Sequence, residues 1–198
     1  MADEQIIRDL LDAGPFGAAQ DAIVARLKAA FPPGRFQHEI MPARVNEKVW
    51  RKLVKQPAFV GLGWVGFKPD EAAGQPLQGA ARWTLYLVVK NGACEQAKLR
   101  GDRYAPGLLA MLRVGIATLH GWTIPDVGPA SIAGTSHAFH PELDEEDIAL
   151  HLVDVVVRMT IDDREALAAL PDFLRLGEAW TFDPAGAGEP EQTLEVRA

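Results

Sequence analysis

Gly61, Gly63 and Gly66 stand in the Gly-x-Gly-x-x-Gly spacing that lets a backbone approach a pyrophosphate, provided a strand precedes it and a helix opens inside it. Here Phe67-Lys68-Pro69 follows, and proline blocks a helix. Residues 82–86, about twenty positions on, hold no acid to take a ribose hydroxyl. The spacing is read as a strand with small residues where another backbone or side chain comes close. Ser136-His137 is the one adjacent Ser/His pair, and neighbours in an extended chain point to opposite faces, so the two do not form a nucleophile and its base. His137 and His140, with the acids between Glu142 and Asp147, have the residue types of a zinc or manganese site, but their spacing fits no specific metal motif. They are read as part of a solvated acidic turn. Cys94 lies in a polar segment with no histidine close in sequence and is read as an inert thiol. No catalytic, cofactor or metal residue is assigned on these grounds.

The elements that would carry these residues follow from apolar spacing. The stretch over residues 81–122 organises the rest. Trp83, Leu85, Leu87 and Val89 alternate along a strand, with Thr84, Tyr86 and Val88 on its other face. Leu108, Met111, Leu112, Gly115, Ile116 and Leu119 recur at three and four, which predicts a long helix with one apolar stripe; His120 and Gly121 follow as its C-terminal cap. Between them runs a polar connection with Lys98, Arg100 and Arg103.

Before this stretch, helices are expected over residues 3–11, 16–31 and 47–54, and strands over 35–41 and 58–67. In the last strand Phe59, Gly61, Gly63, Val65 and Phe67 are expected on one face and Val60, Leu62 and Trp64 on the other. Residues 70–79 read as a flexible loop, making 58–67 and 81–90 a hairpin. After it, a loop is expected over 122–127, extended chain over 130–138, and the longest strand over 148–161, with Asp154 and Arg158 on one side. Asp162 and Glu165 form a capping box for a helix over 163–170. Strands at 176–182 and 193–196 flank an arm at 183–190. The expectation is an α+β fold: a mainly antiparallel sheet of four to five strands with helices packed on one face. Residues 1–182 are expected to form a single domain and 183–198 a flexible arm.

Bulk properties exclude several classes. The chain has 198 residues, 48% hydrophobic and 24% charged, ordinary for a soluble globular protein with one sizeable core. Its apolar runs fall far short of the roughly 20 residues that span a bilayer, and its acidic N-terminus lacks the pattern of a signal peptide. A single cysteine allows no intrachain disulfide, which fits a reducing cytoplasm. A net charge of −7 argues against a broad nucleic-acid-binding surface.

The order of features resembles the Mu-like phage tail proteins of the tail-completion or tail-terminator family. The resemblance runs from a short amphipathic helix at residues 21–30 through the Pro-Ala-Phe-Val context at 57–60 and the Trp-x-Leu-x-Leu strand at 83–91. It continues with the Arg100-Gly101 turn, the Gly-Leu-Leu helix closing in Leu-His-Gly at 107–121 and the late strand, covering residues 21–161. It implies a structural protein without a catalytic site. Its copies would form a hexameric ring at the end of the tail tube, stop tail growth and join the head. The partners would be further copies of itself, the tail tube, and sheath or head-connector proteins. DNA would be passing cargo, no membrane would be involved, and the protein would be made in the host cytoplasm for the virion tail. Within that picture Lys98, Arg100 and Arg103 are read as exposed residues of a subunit or tail contact. Two other classes stay open: a metal-dependent enzyme using His137, His140 and the acids at 142–147, and an α+β binding adaptor outside phages.

Overall fold

The computed structural model describes residues 13–42, 58–71, 76–103, 105–138 and 147–162. Leu11–Asp162 is one compact unit; the other, Met1–Leu10 with Asp163–Ala198, lies outside the described residues. The elements expected at residues 3–11, 47–54, 163–170, 176–182 and 193–196, and the arm at 183–190, fall outside them too, as do His140 and residues 142–146.

The first helix, α1, spans Gly14–Ala30 with Pro15 in its first turn, where the missing N–H costs nothing. Ala19, Ile23 and Leu27, spaced at four, are its buried face. Phe31 donates its N–H to Leu27, and Pro32-Pro33 prevents continuation. Among the described residues there are six strands: β1 Gln37–Met41, β2 Ala58–Pro69, β3 Leu77–Lys90, β4 Thr123–Ile124, β5 Gly128–Ala138 and β6 Ile148–Ile161. Two helices lie between β3 and β4, α2 at Glu95–Arg100 and α3 at Leu108–Leu119. The sheet order is β1-β2-β3-β6-β5-β4. Every pair is antiparallel except β1 with β2, which is parallel. The fold is therefore α+β, but among the described residues the sheet has six strands rather than four to five, and it is mixed.

The core lies between α1, α3 and one face of the sheet. Trp83, Leu85, Leu87 and Val89 of β3 and Val153, Val155 and Val157 of β6 alternate inward as their period-two pattern requires, meeting Ile23, Leu27, Met111 and Leu119. The other face carries a smaller cluster of Met41, Phe59, Val88, Ile148 and Leu150, with Tyr86 and Leu152 packed against it.

Three local expectations change. The ladder between β2 and β3 runs on to Pro69 opposite Gly79, and Leu77 pairs with Ile161 of the long β6, so residues 77–79 are strand rather than loop. Thr123–Ile124 pairs with Gly128 and Pro129, a small hairpin inside the expected 122–127 loop. A bulge between Trp64 and Gly66 takes up Val65. The extra residue resets the alternation, so Phe67 comes back to the face of Trp64. The ring of Phe16 meets both edge-on, each at 5.4 Å between centroids.

Candidate assembly surfaces and the placement of the singled-out residues

The polar connection folds as α2 followed by a tight turn. Lys98 is 6% exposed and pairs with Glu95 at 2.9 Å one helical turn away. It is thus not the exposed residue expected: six residues are too few to show a helical period, and it is this helix that turns Lys98 inward. Arg100 and Arg103 are exposed. Gly101 has φ +84°, and it bridges to Pro106. A Cβ on Gly107 would collide with the backbone of residues 99–101, so the turn closes backbone on backbone. Asp102 clamps it: one carboxylate oxygen accepts the Ala105 N–H at 3.0 Å, the other the Asn91 side-chain amide at 2.9 Å. Arg103 and Arg35 line one cleft with Phe36, Ala58 and Pro106. The loop carrying the two exposed arginines is therefore braced against the end of β3 and set beside a third cation from another part of the chain.

Two sheet edges frame this unit. Among the described residues β1 is paired on one side only, and its outward Ile40 is half exposed. At the other end β5 is sealed at its start: Ala130 bonds Trp122 and Gly121 through its N–H and carbonyl, and Ile132 donates to the His120 ring. Beyond Ile132 the described residues offer β5 no second partner strand, and Ala133, Thr135, Ser136 and His137 are exposed.

His120 ends α3 at the cap position through its backbone, with Gly121 following at φ +74°. Its ring, however, turns to β5, where Nδ1 accepts the Ile132 N–H at 3.1 Å. The cation that serves the end of α3 is Arg26 of α1. Its Nε donates to the Thr118 carbonyl at 2.6 Å while the guanidinium lies 4.5 Å from the Trp122 ring centroid. Spacing along one helix holds no sign of this contact, because it joins residues 92 apart.

Gly61, Gly63 and Gly66 lie inside β2, with no helix opening among them. A Cβ on Gly61 would meet Phe59 and Met41, and one on Gly63 the Tyr86 ring at 3.1 Å. The small size of Gly61 and Gly63 serves side-chain packing on the second face of the sheet, whereas Gly66 has open space around it and a φ of +151°. Burial there pushes the Tyr86 hydroxyl pKa up. Ser136 pairs with Leu152 and His137 with His151, so the adjacent Ser/His pair does point apart. Cys94 is an exposed free thiol. His38 donates from Nε2 to the Phe31 carbonyl at 2.6 Å, tying β1 to the end of α1. The described residues contain no group of three or more His, Cys, Asp or Glu side chains placed to hold a metal, and no described helix is long and apolar enough to cross a membrane.

No family model matches the chain, and no curated protein matches it in sequence. Among solved structures, a chain of the virion of a native gene transfer agent particle is similar in backbone path, with a TM-score of 0.48 and 9% identity, over 76% of this chain and 100% of that one.

Proposed function

We propose that this chain is a structural subunit of a phage or phage-tail-like particle, a tail terminator or completion protein. Its copies close into a ring at the end of the tail tube and join tail to head. The order of strand, basic turn and Leu-His-Gly helix in the sequence motivates the reading. The observation that carries it is the pair of unlike strand edges that the described residues leave at opposite sides of one sheet: the outer side of β1, and β5 beyond Ile132. A contact between two different patches of the same chain is heterologous, and it closes into a ring when the rotation per copy divides a full turn. Strand addition at an open edge supplies the backbone hydrogen bonds of such a contact. Arg100 and Arg103, at their braced turn, are assigned to the contact with a neighbouring copy or the tail tube, with Lys98 buried in α2 and paired with Glu95. The ring is expected to be hexameric, with the tail tube and the head connector as its partners.

Sedimentation over a range of concentrations, with negative-stain imaging, tests the reading. Closed rings that dissociate on dilution are expected. Thr135→Pro, at a position whose N–H the alternation of the ladder turns outward, is expected to abolish rings while the subunit stays folded. A monomer at every concentration that also fails to bind tail tubes counts against the reading. Arg100→Glu with Arg103→Glu is expected to weaken ring or tube association; a variant that folds and assembles normally removes those residues from the contact.

A further inference from the structure

His137 of β5 and His151 of β6 are registered directly opposite each other in the antiparallel ladder. Their rings lie 6.1 Å apart between centroids, inclined at 50°. The sequence separates them by fourteen positions and sets His137 beside His140 and the acids that follow it instead. The strand pairing supplies a different partner.

We propose that His137 and His151 form a two-imidazole site for a borderline divalent transition-metal ion such as Zn2+ or Ni2+, with water completing the coordination. Four observations carry the assignment. The first is position: directly opposed side chains on neighbouring strands leave the sheet in the same direction, so two ligands converge without any loop having to order. The second is separation. Two imidazoles bound tetrahedrally at about 2.1 Å from one zinc ion have ring centroids about 5 Å apart. His137 is exposed, and rotation of its side chain closes the remaining gap of about 1 Å.

The third is an orphaned atom. Nε2 of His151 is shielded from water and has no hydrogen-bond partner. A buried polar atom left in that state is costly, and metal ligation by the neutral ring is one of the few ways to use it. The fourth is rigidity: β6 is paired along both sides, with β3 and with β5, which fixes the backbone at His151 before any ligand arrives. The donor set selects the metal. Imidazole nitrogen suits Zn2+, Ni2+ and Cu2+, whereas Mg2+ and Ca2+ require oxygen ligands. With no three-ligand group among the described residues, the site would keep coordination positions open to water or to a donor from another molecule.

Isothermal titration of the full chain at neutral pH with ZnCl2, NiCl2 and MgCl2 tests the site. One saturable event per chain is expected for zinc and nickel and none for magnesium. His137→Ala and His151→Ala are each expected to weaken zinc binding by at least about tenfold. His38→Ala, which removes an imidazole from the far edge of the sheet, is expected to leave zinc affinity unchanged. Absence of saturable zinc and nickel binding overturns the proposal, as does wild-type affinity in His137→Ala, whose exposed side chain can be removed without disturbing the fold. An equal loss in His38→Ala would show adventitious surface binding and overturn it as well.

Discussion

The backbone N–H of Ile132 donates to Nδ1 of His120, 3.1 Å away, so the residue that ends α3 also holds the outer edge of β5 one step before its bulge between Ile132 and Gly134. An accepting Nδ1 places the ring proton on Nε2. His120→Ala leaves the Ile132 N–H to water at an exposed edge, and a loss of about 0.5–1.5 kcal/mol is expected. Urea denaturation of the two proteins measures it. Hydrogen exchange at Ile132 should quicken in the variant while exchange at Val155, across the ladder, stays slow.

Arg26 joins α1 to the end of α3 with one guanidinium, by a bond to the Thr118 carbonyl and by its position over Trp122. Exposure weakens both contacts. Arg26→Ala is expected to cost about 1 kcal/mol. Arg26→Lys should recover less than half of that, because an ammonium cannot hold the planar stack and the directed Nε–H together. Melting temperatures of the three proteins, with tryptophan fluorescence reporting on Trp122, decide between the outcomes.

Val65 is 60% exposed and is the residue that the β2 bulge takes up. Deleting it leaves Trp64 opposite Trp83, Gly66 opposite Arg82 and Phe67 opposite Ala81, with every side chain on its present face. The expected result is a folded protein with a melting temperature within a few degrees of the parent, unusual for a deletion inside a strand. Deletion of Leu87 from β3, by contrast, turns half of that strand's core residues outward and should prevent folding. Circular dichroism on heating separates the two.

Burial, and then the positive charge of His137, hold the His151 pKa below the usual 6.5. In the unfolded chain the ring takes up a proton at its ordinary pKa, so below about 6.5 the unfolded state binds more protons than the folded one. Stability is therefore complete above the ordinary value and is lost as pH falls from there through the depressed folded value. A series of urea midpoints from neutral to mildly acidic pH should decline over that window. His151→Leu should flatten that part of the curve; an unchanged decline would assign it to other groups.

Much of the fold is legible in the residues themselves. The alternation Trp83, Leu85, Leu87, Val89 fixes the inward face of β3, and the spacing of Leu108, Met111 and Leu119 fixes the buried stripe of α3, because strong patterns of period two and 3.6 survive any tertiary context. What escapes is whatever depends on a partner far along the chain. The parallel pairing of β1 with β2 leaves no mark in the residues of Gln37–Met41 taken alone. The bulge at Val65 defeats simple counting along β2. The inward turn of Lys98 needs the six-residue α2, too short to carry a period. His151 becomes the neighbour of His137 only through the β5–β6 register, whereas His120 could be placed as a cap from Gly121 alone, with its bond to Ile132 unseen.

The sheet is graded in its resistance to opening. Among the described residues β1 is five residues long and held on one side, while β3 is fourteen residues long and flanked by β2 and β6. Local opening should therefore proceed from the margins inward, with amides of Gln37–Met41 exchanging in the least stable step and those around Leu85 only with global unfolding. Such a gradient leaves the outermost ribbon free to adjust its twist to whatever it abuts, while the middle of the sheet keeps its shape as a stiff plate.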